Sequence, residues 1–112
     1  MTSADRAELP VTEVPALLGG GAVLLDVREP DEWAAGHAPA AVHVPLAQLS
    51  LDVLPAGEPL LVVCHVGGRS AMATRALRNA GVPAVNVAGG MAAWESAGLP
   101  VVTDDGGPGQ II

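Results

Sequence analysis

Leu60-Leu61-Val62-Val63-Cys64-His65-Val66-Gly67-Gly68-Arg69-Ser70 runs directly into Ala71-Met72-Ala73-Thr74-Arg75-Ala76-Leu77. An apolar run of strand length, a glycine-rich turn and a helix-forming stretch follow one another without a break. The succession predicts a buried strand over 60–63, a tight loop, and a helix over 70–80 closed by Gly81. Ala73, Ala76, Leu77 and Ala80 recur at i, i+3, i+4 and i+7 and mark the apolar stripe of that helix.

Cys64 is the single cysteine of the chain and stands where the strand ends. Taken alone, such a cysteine is more often a small apolar core residue than a catalyst. Its surroundings favour a nucleophile. Gly67 and Gly68 let the backbone turn so that successive N–H groups of His65 through Ser70, Val66 included, point inward at an anion. Arg69 supplies a cation for an oxyanion or for the loop's own carbonyls, and Ser70 is a good helix N-cap within reach of substrate. The positive end of the helix dipole and an arginine both favour the thiolate over the thiol. His65 either steers substrate or faces solvent.

Outside this stretch, Ala22–Val27 reads as a second fully buried strand, with Ala41–Val44 and Ala84–Val87 as weaker ones and Leu9–Val11 as a short edge strand. Helices are expected after Thr12, over Pro30–Ala35, within 46–53, and over Met91–Ala97 before Gly98. Strands alternating with helices at these intervals imply an α/β fold with a mostly parallel central sheet and helices on both faces. Sites in such folds form outside the carboxyl ends of the strands, which is where Cys64 lies. Residues 9–102 form the expected domain, with 1–8 and 103–112 as flexible ends.

Half the residues are apolar, yet Phe and Tyr are absent, so Val, Leu, Ala, Trp33 and Trp94 must supply the core. The formal charge of −7, with arginine as the only strong cation type, argues against nucleic acid or an anionic membrane as partner. No leader-like or membrane-spanning stretch is read, and a reducing cytoplasm is the default compartment. One cysteine and three scattered histidines do not make a metal site. Asp26 and Arg28 end the 22–27 strand, either at the mouth of the cysteine loop or as a structural ion pair. Asp31 and Glu32 read as solubility and helix capping, His37 as a turn residue, and His43 as an ordinary strand residue.

Cys64, Gly67, Arg69 and Ser70 match the active-site loop of the rhodanese-like domains, which the chain resembles over roughly residues 9–102. Leu25-Asp26-Val27-Arg28-Glu29-Pro30 through Gly36-His37-Ala38-Pro39 and Val87-Ala88-Gly89-Gly90-Met91 through Trp94 match flanking motifs in the right order. Ala38, Ala40 and His43 depart from common family choices. The resemblance implies a rhodanese-like three-layer fold and sulfurtransfer. Cys64 takes sulfane sulfur from a small anionic donor such as thiosulfate as a persulfide, then yields it to cyanide or a thiol, with no cofactor. A carrier module serving a protein sulfur donor or acceptor is the alternative it implies. Related phosphatases have a loop one residue longer between cysteine and arginine, so the count here favours sulfur over phosphate.

Overall fold

The apolar runs become five short parallel strands in the order β1-β5-β4-β2-β3. A computed structural model describes residues 6–112, so that part of the expected flexible N-terminus lies outside the described residues. The strands are β1 (Glu8–Pro10), β2 (Val23–Asp26), β3 (Val42–His43), β4 (Leu60–Val63) and β5 (Ala84–Ala88). The helices between them are α1 (Val14–Leu18), α2 (Pro30–Ala35), α3 (Gly68–Asn79) and α4 (Gly90–Ser96). Among the described residues, no helix is long and apolar enough to cross a membrane.

Side chains alternate across the sheet, and the two faces feed two separate cores. Leu61 and Val63 of β4 join Leu24, Val85, Val87 and the α1 and α4 residues Val14, Met91 and Trp94. Leu60 and Val62 point the other way, to Leu25, Ala84 and the α3 residues Ala73 and Leu77. This is the period of two that a strand imposes, and it accounts for β2 and β4 reading as unbroken apolar runs. Helices therefore cover both faces, as expected.

Four expectations change. The 46–53 helix is two 3-10 turns, Leu46–Gln48 and Leu51–Val53, parted where Leu49 is extended and packs into the α3-side core. On α3, Ala76 and Ala80 are exposed, and Ser70, Ala73, Thr74 and Leu77 face inward. Trp33 is not core filling: its ring stacks on His37 (centroids 3.6 Å apart) and His43 (4.7 Å), half-buried on α2. Residues 103–112 do not trail away. Thr103 and Gly107 close a turn, Gly109 N–H donates to Val101 O and Gln110 N–H to Ala35 O, and Ile111 packs on the core that holds Trp94. Ile111 gives the glycine-rich segment an apolar surface to bury against the body, while Ile112 stays exposed.

Arg28 is fully buried at 0% exposure, and so is its partner Asp26. Nε and Nη2 of Arg28 donate to both Asp26 oxygens at 2.8–3.1 Å, and its backbone N–H donates to Asp26 Oδ1 at 3.0 Å. The remaining guanidinium N–H groups reach Glu32 O (3.3 Å) and Gly36 O (2.8 Å) at the two ends of α2. His43 Nε2–H donates to Arg28 O at 2.8 Å, tying β3 to the same point. The pair therefore does not line the site mouth. It fixes α2 and β3 to the end of β2. Arg28→Met strands a buried carboxylate, and urea denaturation is expected to show a loss of about 3–5 kcal/mol, with much of it recovered when Asp26 is made apolar as well.

Candidate active site

Cys64 leaves β4 at its carboxyl end, and the next turn folds over its sulfur. Gly67, at φ +113°, occupies the N-cap of α3 in a conformation that favours glycine. Gly67 N–H donates to Cys64 Sγ at 3.2 Å, Ser70 N–H at 3.3 Å and Ser70 Oγ–H at 3.2 Å. Ser70 is thus pinned beneath the sulfur, which sets the rotation of α3 and explains why Ala76 and Ala80 turn outward. The thiol itself is almost fully buried.

Burial alone pushes the Cys64 thiol up. The Ser70 hydroxyl and the backbone N–H groups of Ser70, Gly67 and Arg69 outweigh it, leaving the thiol below its ordinary value. These donors suit a sulfur anion equally well whether it sits on the cysteine or on an atom bonded to it.

From the opposite side the loop rests on α4. Met91 N–H donates to Cys64 O at 2.8 Å and Ala92 N–H to His65 O at 3.0 Å. A Cβ on Gly90 would lie against those same two carbonyls, so only glycine lets α4 approach. In the sequence Gly89-Gly90 stands only as the pair before the helix expected over Met91–Ala97. Its role in seating the cysteine loop is visible only once β4 and α4 are side by side.

Arg69 does not reach into the loop. Its two terminal nitrogens meet the Glu32 carboxylate at 2.7 and 2.9 Å, across from α2. Arg69 holds the Glu32 carboxyl down to about 2, against burial, and Glu29 N–H adds a 2.9 Å bond to Oε1. Arg69 is correspondingly raised, with Glu32 the largest cause. Glu32, read from sequence as a capping residue, is both a cap and the clamp that orients the α3 end of the loop. Its place three residues after Glu29, in a helix docked by Arg28, was the available signal.

At the mouth, His65 is half-buried and Gly68 exposed, and Val66 is the most prominent side chain at 66% exposure. Met72, 64% exposed, follows on the first turns of α3. The loop thus brings Gly67 and Ser70 onto Cys64, whereas the Arg69 side chain, expected as the charged member of the cradle, is turned away to Glu32. His37 is buried against Asp104, its Nε2–H donating to Oδ1 at 2.9 Å beside the Trp33 indole N–H at 3.1 Å.

A rhodanese-like domain model matches residues 10–97. "Thiosulfate sulfurtransferase 16, chloroplastic" of Arabidopsis thaliana is 36% identical, over 87% of this chain and 97% of its own. "Putative sulfur carrier protein YrkF" of Bacillus subtilis is 38% identical, over 63% of this chain and 40% of its own. The crystal structure of a rhodanese-related protein from Thermoplasma volcanium superposes with a TM-score of 0.79 at 29% identity, covering 87% of this chain and 98% of that one. Of some relatives this chain spans about half the length or less.

Two outcomes are expected from these contacts. Ser70→Ala removes the hydroxyl that donates to Cys64, so the alkylation rate of the thiol with iodoacetamide should reach its half-maximum at higher pH than in the wild type. A folded-state carboxyl near 2 contributes stability that is present above its ordinary value of 4.5 and is lost as pH falls toward about 2. Glu32→Gln should therefore flatten the acid limb of a thermal-midpoint-versus-pH curve in that window and cost about 1–2 kcal/mol at neutral pH.

Proposed function

The chain belongs to the rhodanese-like domain family of sulfurtransferases, and we propose that it transfers sulfane sulfur through a persulfide on Cys64. The observation that carries this reading is the ring of donors on Cys64 Sγ from Gly67 and Ser70. The thiolate attacks the outer sulfur of thiosulfate. A sulfur–sulfur bond forms on Cys64, the bond to the sulfonate breaks, and sulfite leaves with the electron pair. The terminal sulfur keeps the negative charge, and the loop N–H groups that served the thiolate are placed to serve it. Cyanide or a thiolate then attacks that sulfur, leaving as thiocyanate or as a new persulfide, and the Cys64 thiolate returns. Charge and electrons balance at each step without a cofactor.

A second reading is favoured by the surface. With Arg69 engaged by Glu32, the loop presents Val66 and not a free cation. That face suits a protein that delivers or receives the persulfide, in keeping with the relative named as a putative sulfur carrier. The small donor then reacts slowly while a protein persulfide reacts fast. In either case a cytoplasmic setting, where thiols stay reduced, fits a lone reactive cysteine.

Mass spectrometry after incubation with thiosulfate should show a gain of one sulfur atom on Cys64, absent in Cys64→Ser. The wild type should form thiocyanate from thiosulfate and cyanide, and Cys64→Ser should form none. If wild type and Cys64→Ser are equally inert with thiosulfate and with a protein persulfide, sulfurtransfer is excluded. Phosphate-ester hydrolysis without a sulfur adduct would assign the loop to phosphoryl chemistry.

A further inference from the structure

We propose that the cleft between α3 and the β1–β5 edge of the sheet binds the head group of an α-amino acid, an ammonium and a carboxylate on one carbon. The cleft follows from the topology. α3 lies over β4 and β5, while β1 extends the sheet beyond β5. Leu9 of β1 is buried on the α1–α4 side, and Glu8 and Pro10 are exposed on the other. An open trough of about 400 Å³ results, walled by Ala71, Thr74, Arg75 and Arg78 on one side and by Glu8 and Asn86 on the other. That volume is at the small end of ligand sites, roughly 300–1,000 Å³.

Two of the residues that line it each keep a buried polar atom with no hydrogen-bond partner among the described residues, Thr74 Oγ1 and Asn86 Oδ1. Both residues are only 3% exposed. The Asn86 amide has one orientation, because Nδ2 donates to Glu8 Oε2 at 3.0 Å and to Gly67 O at 3.4 Å, both of them acceptors only. The free atom is therefore the carbonyl oxygen, and it requires a donor. A helical threonine commonly returns its hydroxyl to the carbonyl one turn back, and Thr74 does not. Native proteins leave few such groups unsatisfied, since each costs free energy until something bonds it.

Charge selects the occupant. An anion alone meets Glu8 and the Asn86 carbonyl, and a cation alone meets two arginines. Arg78 is already tied to Arg6 O (3.2 Å) and Ala84 O (2.9 Å). Arg75 is exposed and in none of the ion pairs among the described residues, so it is the cation available. An ammonium donates to Asn86 Oδ1 and Glu8, and the carboxylate takes Arg75 and the Thr74 hydroxyl. The Asn86 bond to Gly67 O sets the occupant one hydrogen bond away from the segment that folds over Cys64. Binding does not depend on sulfurtransfer.

The test uses the intact chain and follows the Asn86 side-chain amide and the Thr74 backbone amide by proton–nitrogen NMR. The probes are L-alanine, a free amino acid, and S-methylglutathione, which carries the head group on a γ-glutamyl peptide; neither has a reactive thiol. Saturable shifts at both positions are expected. Response to L-alanine alone assigns the site to free amino acids, and response to S-methylglutathione alone assigns it to γ-glutamyl peptides. Ethylamine and propionate, each lacking one charge, should bind at least about tenfold more weakly, as should L-alanine or S-methylglutathione to Arg75→Ala. Thr74→Val should also weaken binding while raising the thermal midpoint of the free protein, because it deletes an unsatisfied buried hydroxyl. No saturable shift with either probe means the cleft holds water only and overturns the proposal. Equal binding of ethylamine or propionate, or undiminished binding to Arg75→Ala, overturns it as well.

Discussion

A buried guanidinium is the constraint on which the site depends. Arg28 has no exposure and must place its donors on acceptors, because an unpaired charge in the interior is far more costly than any surface contact. Asp26 answers the charge, and the carbonyls of Glu32 and Gly36 take what remains. Those carbonyls lie in α2, a six-residue helix with no buried side chain of its own, and at its C-cap. Packing alone would hold it weakly. The buried pair docks it, and once docked it presents Glu32 to Arg69 at the rim of the cysteine loop. Two ion pairs in series thus connect the end of β2 to the start of α3.

The loop is gripped from two further directions. α3 begins with its N–H groups and Ser70 around the sulfur, and α4 begins with its N–H groups on the carbonyls of Cys64 and His65. The first helix stabilises charge on sulfur. The second satisfies carbonyls that would otherwise be stranded where the strand stops. Gly67 and Gly90 serve these two contacts for different reasons, one conformational and one steric. The result is a thiol that is deeply buried and still held below its ordinary value, since hydrogen bonding outweighs desolvation.

The chain's net charge of −7 says little about this site. Arginine is concentrated at and after the loop, but Arg69 and Arg78 are engaged and Arg28 is interior. What faces solvent near Cys64 is mainly the loop backbone, Val66 and a partly covered imidazole. On the proposed reading, selectivity among sulfur donors rests on oriented N–H groups more than on long-range attraction.

Much of this was legible in the chain itself. The apolar runs 22–27 and 60–63, which hold β2 and β4, the following turns, and the α/β alternation were readable because a strand covered on both faces leaves an unbroken apolar signature. A thiol followed by a tight turn into a helix was readable because these are local features within seven residues, but the cap is Gly67 and not Ser70, and Arg69 turns to Glu32. The sequence also placed Asp26 and Arg28 side by side, with an ion pair as one of two readings. It did not show that Glu32 and Arg69, 37 residues apart, would pair, that the tail would return over α2, or which face of α3 would turn inward. Local propensity is written in neighbouring residues. The partner of a charge, the burial of a ring and the roll of a helix depend on which distant strands become adjacent, and only the folded sheet decides that.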